Sequence, residues 1–332
     1  MRTTRNPNKR IVEFVKNIKD DLTIFDKKFK KTLSQKASLL HRVTNYIVKN
    51  PGKKIRPICV ILSAGLVNNI NDKIYRGAIL IELLHTATLI HDDIVDDAHM
   101  RRSRFSINSI WKNKISVLTG DYFLAKGLSL AVQHSDYDIL KLISKVVEDI
   151  VKGELLQLEK TKRLNLTKED YFKIIKLKTA SLFECSFNIG AMCSNLGDKT
   201  SIQLRELGYK IGILFQVKDD ILDYGTQSNN SGKKSGNDIK EGKINLPLLY
   251  AFERMSNREK SRVYQILRKK NNPIDEIKLV EQIVIRHKGI EKSELLINNY
   301  YNEAMLILDN FKSNKYKDSI ISLLNFLTHR SK

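Results

Sequence analysis

IELLHTATLIHDDIVDD, residues 81–97, decides how this chain folds and what it is built to hold. Its apolar residues recur at i, i+3 and i+4, the spacing of a helix and not the alternation of a strand. Asp92 and Asp96 fall four apart on one helical face, with Asp93 about 100° round the axis. Carboxylates so placed repel one another. A helix that keeps them in mid-element, among Leu89, Ile90, Ile94 and Val95, needs a cation there. Hard oxygen ligands suit Mg²⁺, which keeps several waters and takes one or two carboxylates plus phosphate oxygens.

The arrangement occurs twice. FQVKDDILDY, residues 215–224, repeats the spacing at Asp219, Asp220 and Asp223, flanked by Phe215, Val217, Ile221 and Leu222. One such cluster is ordinarily a solvated acidic face; two copies embedded in apolar residues are not. A metal-bound diphosphate retains charge, which calls for arginine forks and lysine point charges. Arg101 and Arg102 follow the first cluster, and Lys233 and Lys243 flank the glycine-bearing stretch after the second. PGKKIRP, residues 51–57, supplies Lys53 and Arg56 between two prolines. His85 lies seven residues before Asp92, on nearly the same helical face.

No proline occurs between Pro57 and Pro247. Segments 76–98, 116–133, 138–160 and 168–195 carry helical spacing, and no sustained period-two alternation is found, so an all-α fold without a sheet is expected. Residues 225–242, GTQSNNSGKKSGNDIKEG, read as a mobile loop able to close over the site. The tail continues with amphipathic segments at 292–311 and 316–329. Nothing resembles an interdomain linker, so residues 1–332 are read as a single domain.

Lys and Arg number 58 against 37 Asp and Glu, a net charge of +21, which suits nucleic acid, an anionic membrane surface or anionic substrates. Aromatics are not interleaved with the basic runs and no recognition module is present, so no nucleic-acid partner is expected. Weak peripheral membrane contact remains an expectation. Three scattered cysteines imply neither a disulfide framework nor a zinc site. The N-terminus lacks a signal-like apolar run, and Glu82 and His85 interrupt the apolar stretch 78–90, so a cytoplasmic protein is expected.

Taken in order, PGKKIRP, IELLHTATLIHDDIVDDAHMRRS, LTGDYFLA, GELLQL, KTASLFE, FQVKDDILDY and GNDIKEGKINLPLL resemble the trans-polyprenyl diphosphate synthases, and within them the long-chain bacterial octaprenyl type. The resemblance implies an isoprenoid synthase-type helical bundle around a central cavity, and a homodimer. It implies that Mg²⁺ bound by Asp92, Asp93, Asp96, Asp219, Asp220 and Asp223 holds an allylic diphosphate, with farnesyl diphosphate the expected starter. It assigns the diphosphate of isopentenyl diphosphate to Lys53, Arg56, His85 and Arg102, and the allylic diphosphate to Arg101, Lys178, Lys233 and Lys243. Lys178, Thr179 and Gln216 are the expected catalytic residues, the last two offering oxygen dipoles to a developing carbocation. The product implied is an octaprenyl diphosphate for a respiratory quinone side chain.

Ala87 and Thr88 stand five and four residues before Asp92, where short-chain members of that family carry aromatic plugs. Their small size predicts a long product, with the tunnel floor at Leu84 or at Leu124 and Leu128. The chain departs from the family at Pro51, Ser103 and Asn245, none of which removes a charged ligand. A terpene cyclase or head-to-head synthase would share the aspartates but has no need of Lys53, Arg56 and His85 for a second diphosphate. A shorter-chain synthase and a non-catalytic basic subunit are the other readings.

Overall fold

The computed structural model describes residues 14–34, 38–50, 52–101, 104–193, 197–224, 236–269 and 272–330. Its helices are α1 Lys19–Leu33, α2 Ser38–Lys49, α3 Ile55–Leu66, α4 Asp72–Val95, α5 Ile107–Gln133, α6 Tyr137–Arg163, α7 Lys168–Ile175, α8 Ser181–Met192 and α9 Asp198–Asp223. The C-terminal third adds α10 Asn237–Lys240, α11 Leu246–Phe252, α12 Asn257–Leu267, α13 Ile274–Arg286, α14 Gly289–Asp309 and α15 Lys315–His329.

Asn71 caps α4 by accepting the N–H of Ile74, a favourable start for a helix whose first four amides lack partners. From Ile74 to Leu84 almost every residue of α4 is buried, so this helix has no solvent face and sits at the centre of a layer. It packs against α1, α3, α5 and α8. Helix α9 is the second centre, packed against α8, α11, α14 and α15. Helices α3 and α8 join the two. Val60, Ile61, Leu182, Cys185 and Ile189 face the core around α4; Ile58, Leu62, Phe183 and Phe187 face the core around α9.

Three local features differ from the expectations. Met100–Arg101 pairs antiparallel with Arg104–Phe105 as a short ribbon, β1 and β2, so the fold does contain a minimal sheet. Two residues per strand are too few to leave an alternating pattern. The stretch read as one helix at 168–195 is α7, a π-helical turn at Lys176–Ala180, and α8. Glycines make room for that wider turn: a Cβ on Gly212 would lie 2.5 Å from Ala180 Cα, and one on Gly153 would lie 2.9 Å from Leu177 Cβ. Such insertions concentrate at functional sites. Within residues 225–242, Asn237–Lys240 form one helical turn, while 225–235 lie outside the described residues, as does the sequence expectation for them.

Helix α5 is long and apolar enough, by length and composition alone, to cross a bilayer. It instead lies along α4, burying Thr119, Gly120, Phe123, Gly127 and Ala131. At the opposite end of α4 from the aspartates, Arg76 forks onto Asp136, the residue before α6, at 2.5 and 2.9 Å. Asp136 is buried, so removing its partner strands a charge in the protein. Arg76→Ala should therefore lower unfolding stability by roughly 3 kcal/mol. Urea denaturation measures it, and an unchanged midpoint would show that the pair carries no weight.

Candidate active site

Both aspartate clusters occupy the last turn of their helices, not mid-element as the sequence suggested. Helix α4 ends at Val95 with Asp96 as C-cap, and α9 ends at Asp223 with Tyr224 as C-cap. Neither last turn carries a basic residue. The free carbonyls of a helix C-terminus are equivalent to about half a negative charge. Each cluster thus adds carboxylates to an end that is already negative, and the demand for a cation exceeds that of a mid-helix cluster.

The first cluster is tied down by its backbone. The carbonyl of Asp93, a buried residue, accepts from Ala98 N–H at 2.9 Å and from Asn108 Nδ2 at 3.2 Å. The second is held by side chains. Asp220 accepts from Tyr171 Oη at 2.7 Å, Gln216 Nε2 at 2.9 Å and Leu246 N–H at 3.2 Å. Asp223 accepts the N–H groups of Asn237 and Asp238, each at 3.0 Å. Asp219 pairs at 2.6 Å with the guanidinium of Arg330, which also donates to Phe215 O and lies 4.6 Å from that residue's ring centroid.

Lys243 joins the two halves. Its ammonium is 2.6 Å from Glu241 and 3.7 Å from Asp96 of the first cluster. Burial opposes that charge, but Glu241, Asp96 and Asp238 together raise its pKa. A cavity of about 230 Å³ opens beside it, lined by Gln157, Lys178, Thr179, Gln216, Asp220, Asp238 and Lys243. Thr179 Oγ1 donates to Gln216 Oε1 at 2.8 Å, and Gln216 donates in turn to Asp220, so the amide is fixed in one orientation. Lys178, on the π turn, is paired with Glu154 and donates to Gln157 Oε1 at 3.2 Å. It must exchange these partners to hold an anion.

Arg56 and His85 meet as the sequence suggested, Nη1 to Nε2 at 2.8 Å, with the guanidinium 5.0 and 5.8 Å from the centroids of Phe183 and Phe215. Lys53 is exposed, its ammonium 5.4 Å from the Phe326 ring centroid. Phe215 therefore carries Arg56 on one side of the site and Arg330 near the second cluster. Arg102 and Lys233 lie outside the described residues. Arg101 is placed in β1, with its side chain outside the description.

Ala87 is fully buried, and Thr88 Oγ1 donates to the His85 carbonyl at 2.9 Å. Leu84 is buried and Leu124 partly so, but Leu128 is 52% exposed and faces away from the core. Leu128 therefore drops out of the floor expected from the spacing. A Cβ on Gly120 would strike the His91 ring, and one on Gly127 would touch Leu80 and Leu83. Antiparallel α4 and α5 in that register bring Phe123, 0% exposed, level with Ala87.

Three residues of the site escaped the sequence analysis, Tyr171, Asp238 and Arg330, and Asn245 entered it only as a departure from the family's motif. Tyr224 Oη donates to Asn245 Oδ1 at 2.6 Å, and Asn245 Nδ2 to Asp238 Oδ2 at 2.9 Å. Burial and then Asp238 push the Asp220 carboxyl up to about 7; burial and then Asp223 push Asp238 up to about 6. A cation placed among these carboxylates would let them ionise together. Among the described residues no group of three or more Asp, Glu, His or Cys side chains converges so as to hold a metal ion by itself.

The family model for polyprenyl synthetase matches residues 37–284. The heptaprenyl diphosphate synthase component 2 of Geobacillus stearothermophilus is 28% identical, over 94% of this chain and 97% of that protein. The octaprenyl diphosphate synthase of Escherichia coli strain K12 is 36% identical, over 66% of this chain and 68% of that protein. Among solved structures, the polyprenyl synthase of Caulobacter crescentus CB15, complexed with calcium and isoprenyl diphosphate, superposes with a TM-score of 0.89 at 28% identity, covering all of both chains.

The raised carboxyls give a pH test. Folded Asp220 and Asp238 keep protons that an unfolded chain releases near the ordinary value of 3.8. Their contribution to stability is full below that value and disappears as pH rises through their folded pKa values. The melting temperature of the metal-free protein should therefore fall between about pH 5 and about pH 8, and magnesium chloride should restore it at the upper end. A profile that magnesium leaves unchanged would count against a divalent-cation site.

Proposed function

We propose that this chain, which belongs to the polyprenyl synthetase family, lengthens an allylic isoprenyl diphosphate, farnesyl diphosphate being the starter, by condensing it with isopentenyl diphosphate to an octaprenyl product for a respiratory quinone. The observation that carries this reading is the pairing of Lys243 with Asp96, which links the first carboxylate cluster to the lysine that lines the cavity of Asp220, with Arg56 and His85 as a separate basic site. Two anionic substrates need two such sites. A cyclase needs one.

Asp92, Asp93 and Asp96 from α4, and Asp219, Asp220 and Asp223 from α9, are the residues to hold magnesium. Bound there with the allylic diphosphate, it would supply Lewis-acid neutralisation of the leaving group. The chain's own groups do the rest. Arg101, Lys178, Lys233 and Lys243 hold the allylic diphosphate, and Lys53, Arg56, His85 and Arg102 the other one. Both are thereby fixed within reacting distance, which removes translational freedom from the barrier. The oriented Gln216 carbonyl and Thr179 hydroxyl present negative dipoles where positive charge develops on the allyl carbon. Attack by the isopentenyl double bond forms the carbon–carbon bond as the carbon–oxygen bond to diphosphate breaks. The proton then lost passes to the released diphosphate, so no side-chain base is assigned.

The growing tail runs past Ala87 and Thr88, whose small side chains leave the way along α4 open. Incubation with farnesyl diphosphate, isopentenyl diphosphate and magnesium, followed by chromatographic sizing, tests the reaction. Asp92→Ala and Asp219→Ala should each lose most turnover, and near-normal rates would sink the mechanism. Ala87→Phe should shorten the product; unchanged lengths would remove the tunnel assignment.

A single domain, a cytoplasmic location and a homodimer complete the proposal. Buried free Cys59 and Cys185 suit a reducing compartment. The dimer reading rests on an exposed apolar face shared by α5 and α6: Leu118, Leu128 and Val132 with Val151, Leu155 and Leu158. The Geobacillus relative's name, component 2, supports a second reading in which a different chain covers that face. Leu155→Arg should halve the mass in analytical ultracentrifugation. Purified wild-type protein that sediments as a monomer and turns over only with an added partner chain would favour the second reading.

A further inference from the structure

Two long stretches of the chain, residues 27–71 and 98–120, contain no Asp or Glu. They fold against each other. Tyr46 on α2 donates its hydroxyl to the Phe105 carbonyl of β2 at 2.7 Å, and its ring meets Trp111 at 5.3 Å, edge to face. Beneath them Val43, Ile90 and Ile107 form a small core of their own. On the outside, the paired ribbon residues Met100 and Phe105 are 52% and 63% exposed, and Leu39 and Ile110 are also exposed. Arg42, Lys49, Arg104, Lys112 and Lys114, all exposed, belong to the same elements. Lys112 adopts φ 67°, breaking α5 just after Trp111, a conformation disfavoured for a side chain other than glycine.

We propose that α2, the β1–β2 ribbon and the first turn of α5 form a docking face for an anionic phospholipid bilayer. Exposed apolar and aromatic side chains among lysines and arginines, with no acidic residue in the same segments, are complementary to an anionic interface, where the rings enter the headgroup region. The face is tied to the site. Asn108 donates to the Asp93 carbonyl and Ser106 Oγ to the Ala98 carbonyl at 2.6 Å, so the ribbon is braced on the last turn of α4. A chain docked there holds the first aspartate cluster close to the lipid that would accept a polyprenyl product. Only that last purpose rests on the reaction proposed above; the face itself does not. It is distinct from the apolar α5–α6 face, whose Leu128, Val132 and Leu155 lie further along those helices.

Trp111 is the chain's single tryptophan and reports on this face alone. The full chain should float with vesicles of phosphatidylcholine mixed with phosphatidylglycerol and not with phosphatidylcholine alone, and salt should weaken the association. Trp111 emission should shift to the blue and be quenched by brominated lipid. Each positive charge lost should weaken binding roughly fivefold. Lys112→Glu with Lys114→Glu, and separately Met100→Ser with Phe105→Ser, should therefore abolish flotation, while Arg258→Glu with Lys278→Glu should not.

Flotation without a change at Trp111 would overturn the assignment of the face. No flotation, or equal flotation with neutral vesicles, would overturn lipid as its partner. A Trp111 shift that follows protein concentration, without vesicles, would show a second copy of the chain there instead. Prenyl transfer measured on the same samples keeps the claims apart: flotation without transfer sinks the reaction and leaves the face, and transfer without flotation sinks the face alone.

Discussion

Negative charge brought together at the ends of two helices is the constraint on which this structure turns. Two long helices, α4 and α9, end close together, linked through Lys243, and each end carries three aspartates at the negative pole of its helix dipole. Nothing in the packing of apolar side chains favours that arrangement. It persists because α4 and α9 are each the centre of a hydrophobic core, and because α3 and α8 belong to both cores and hold the two helices in register. The surrounding groups limit the repulsion: Arg330 pairs with Asp219, Lys243 with Asp96, and Tyr171, Gln216 and three backbone amides donate to Asp220 and Asp223. The charge left over is what a metal and a diphosphate would share.

The same constraint explains where regular structure gives way. The π turn at Lys176–Ala180 carries both Lys178 and Thr179 to the cavity wall, and it exists only where Gly153 and Gly212 let the neighbouring helices close in. The ribbon after Asp96 turns the chain away from the cluster at once, and Asn108 and Ser106 fasten it there. In each case a local departure from ideal geometry sets a polar group beside the site, and ordinary helix packing resumes within a turn or two.

Family membership and fold agree with the resemblance read from the motifs, and the relatives span several product lengths, from heptaprenyl to decaprenyl. The register of α4 against α5 decides which of the residues named from spacing face inward: Leu84 is buried and Leu124 partly so, but Leu128 emerges on the far side of α5.

By itself the sequence determined the all-α class, and it singled out the six aspartates and Lys53, Arg56, His85, Thr179, Gln216 and Lys243 as candidates, because helical period and motif spacing are local and a few residues carry them. It overstated how regular the chain is, since a two-residue strand and a five-residue π turn leave no periodic trace. The tertiary structure alone decided the partners. Tyr171 reaches Asp220 across 49 positions and Arg330 reaches Asp219 across 111, and neither residue stands in a motif. Burial decided the rest: Asp238 is an acid in a polar stretch until packing removes water from it and raises its pKa. Which carboxylates share a counter-charge depends on distances through space, and those are set when two separate helices end on either side of Lys243.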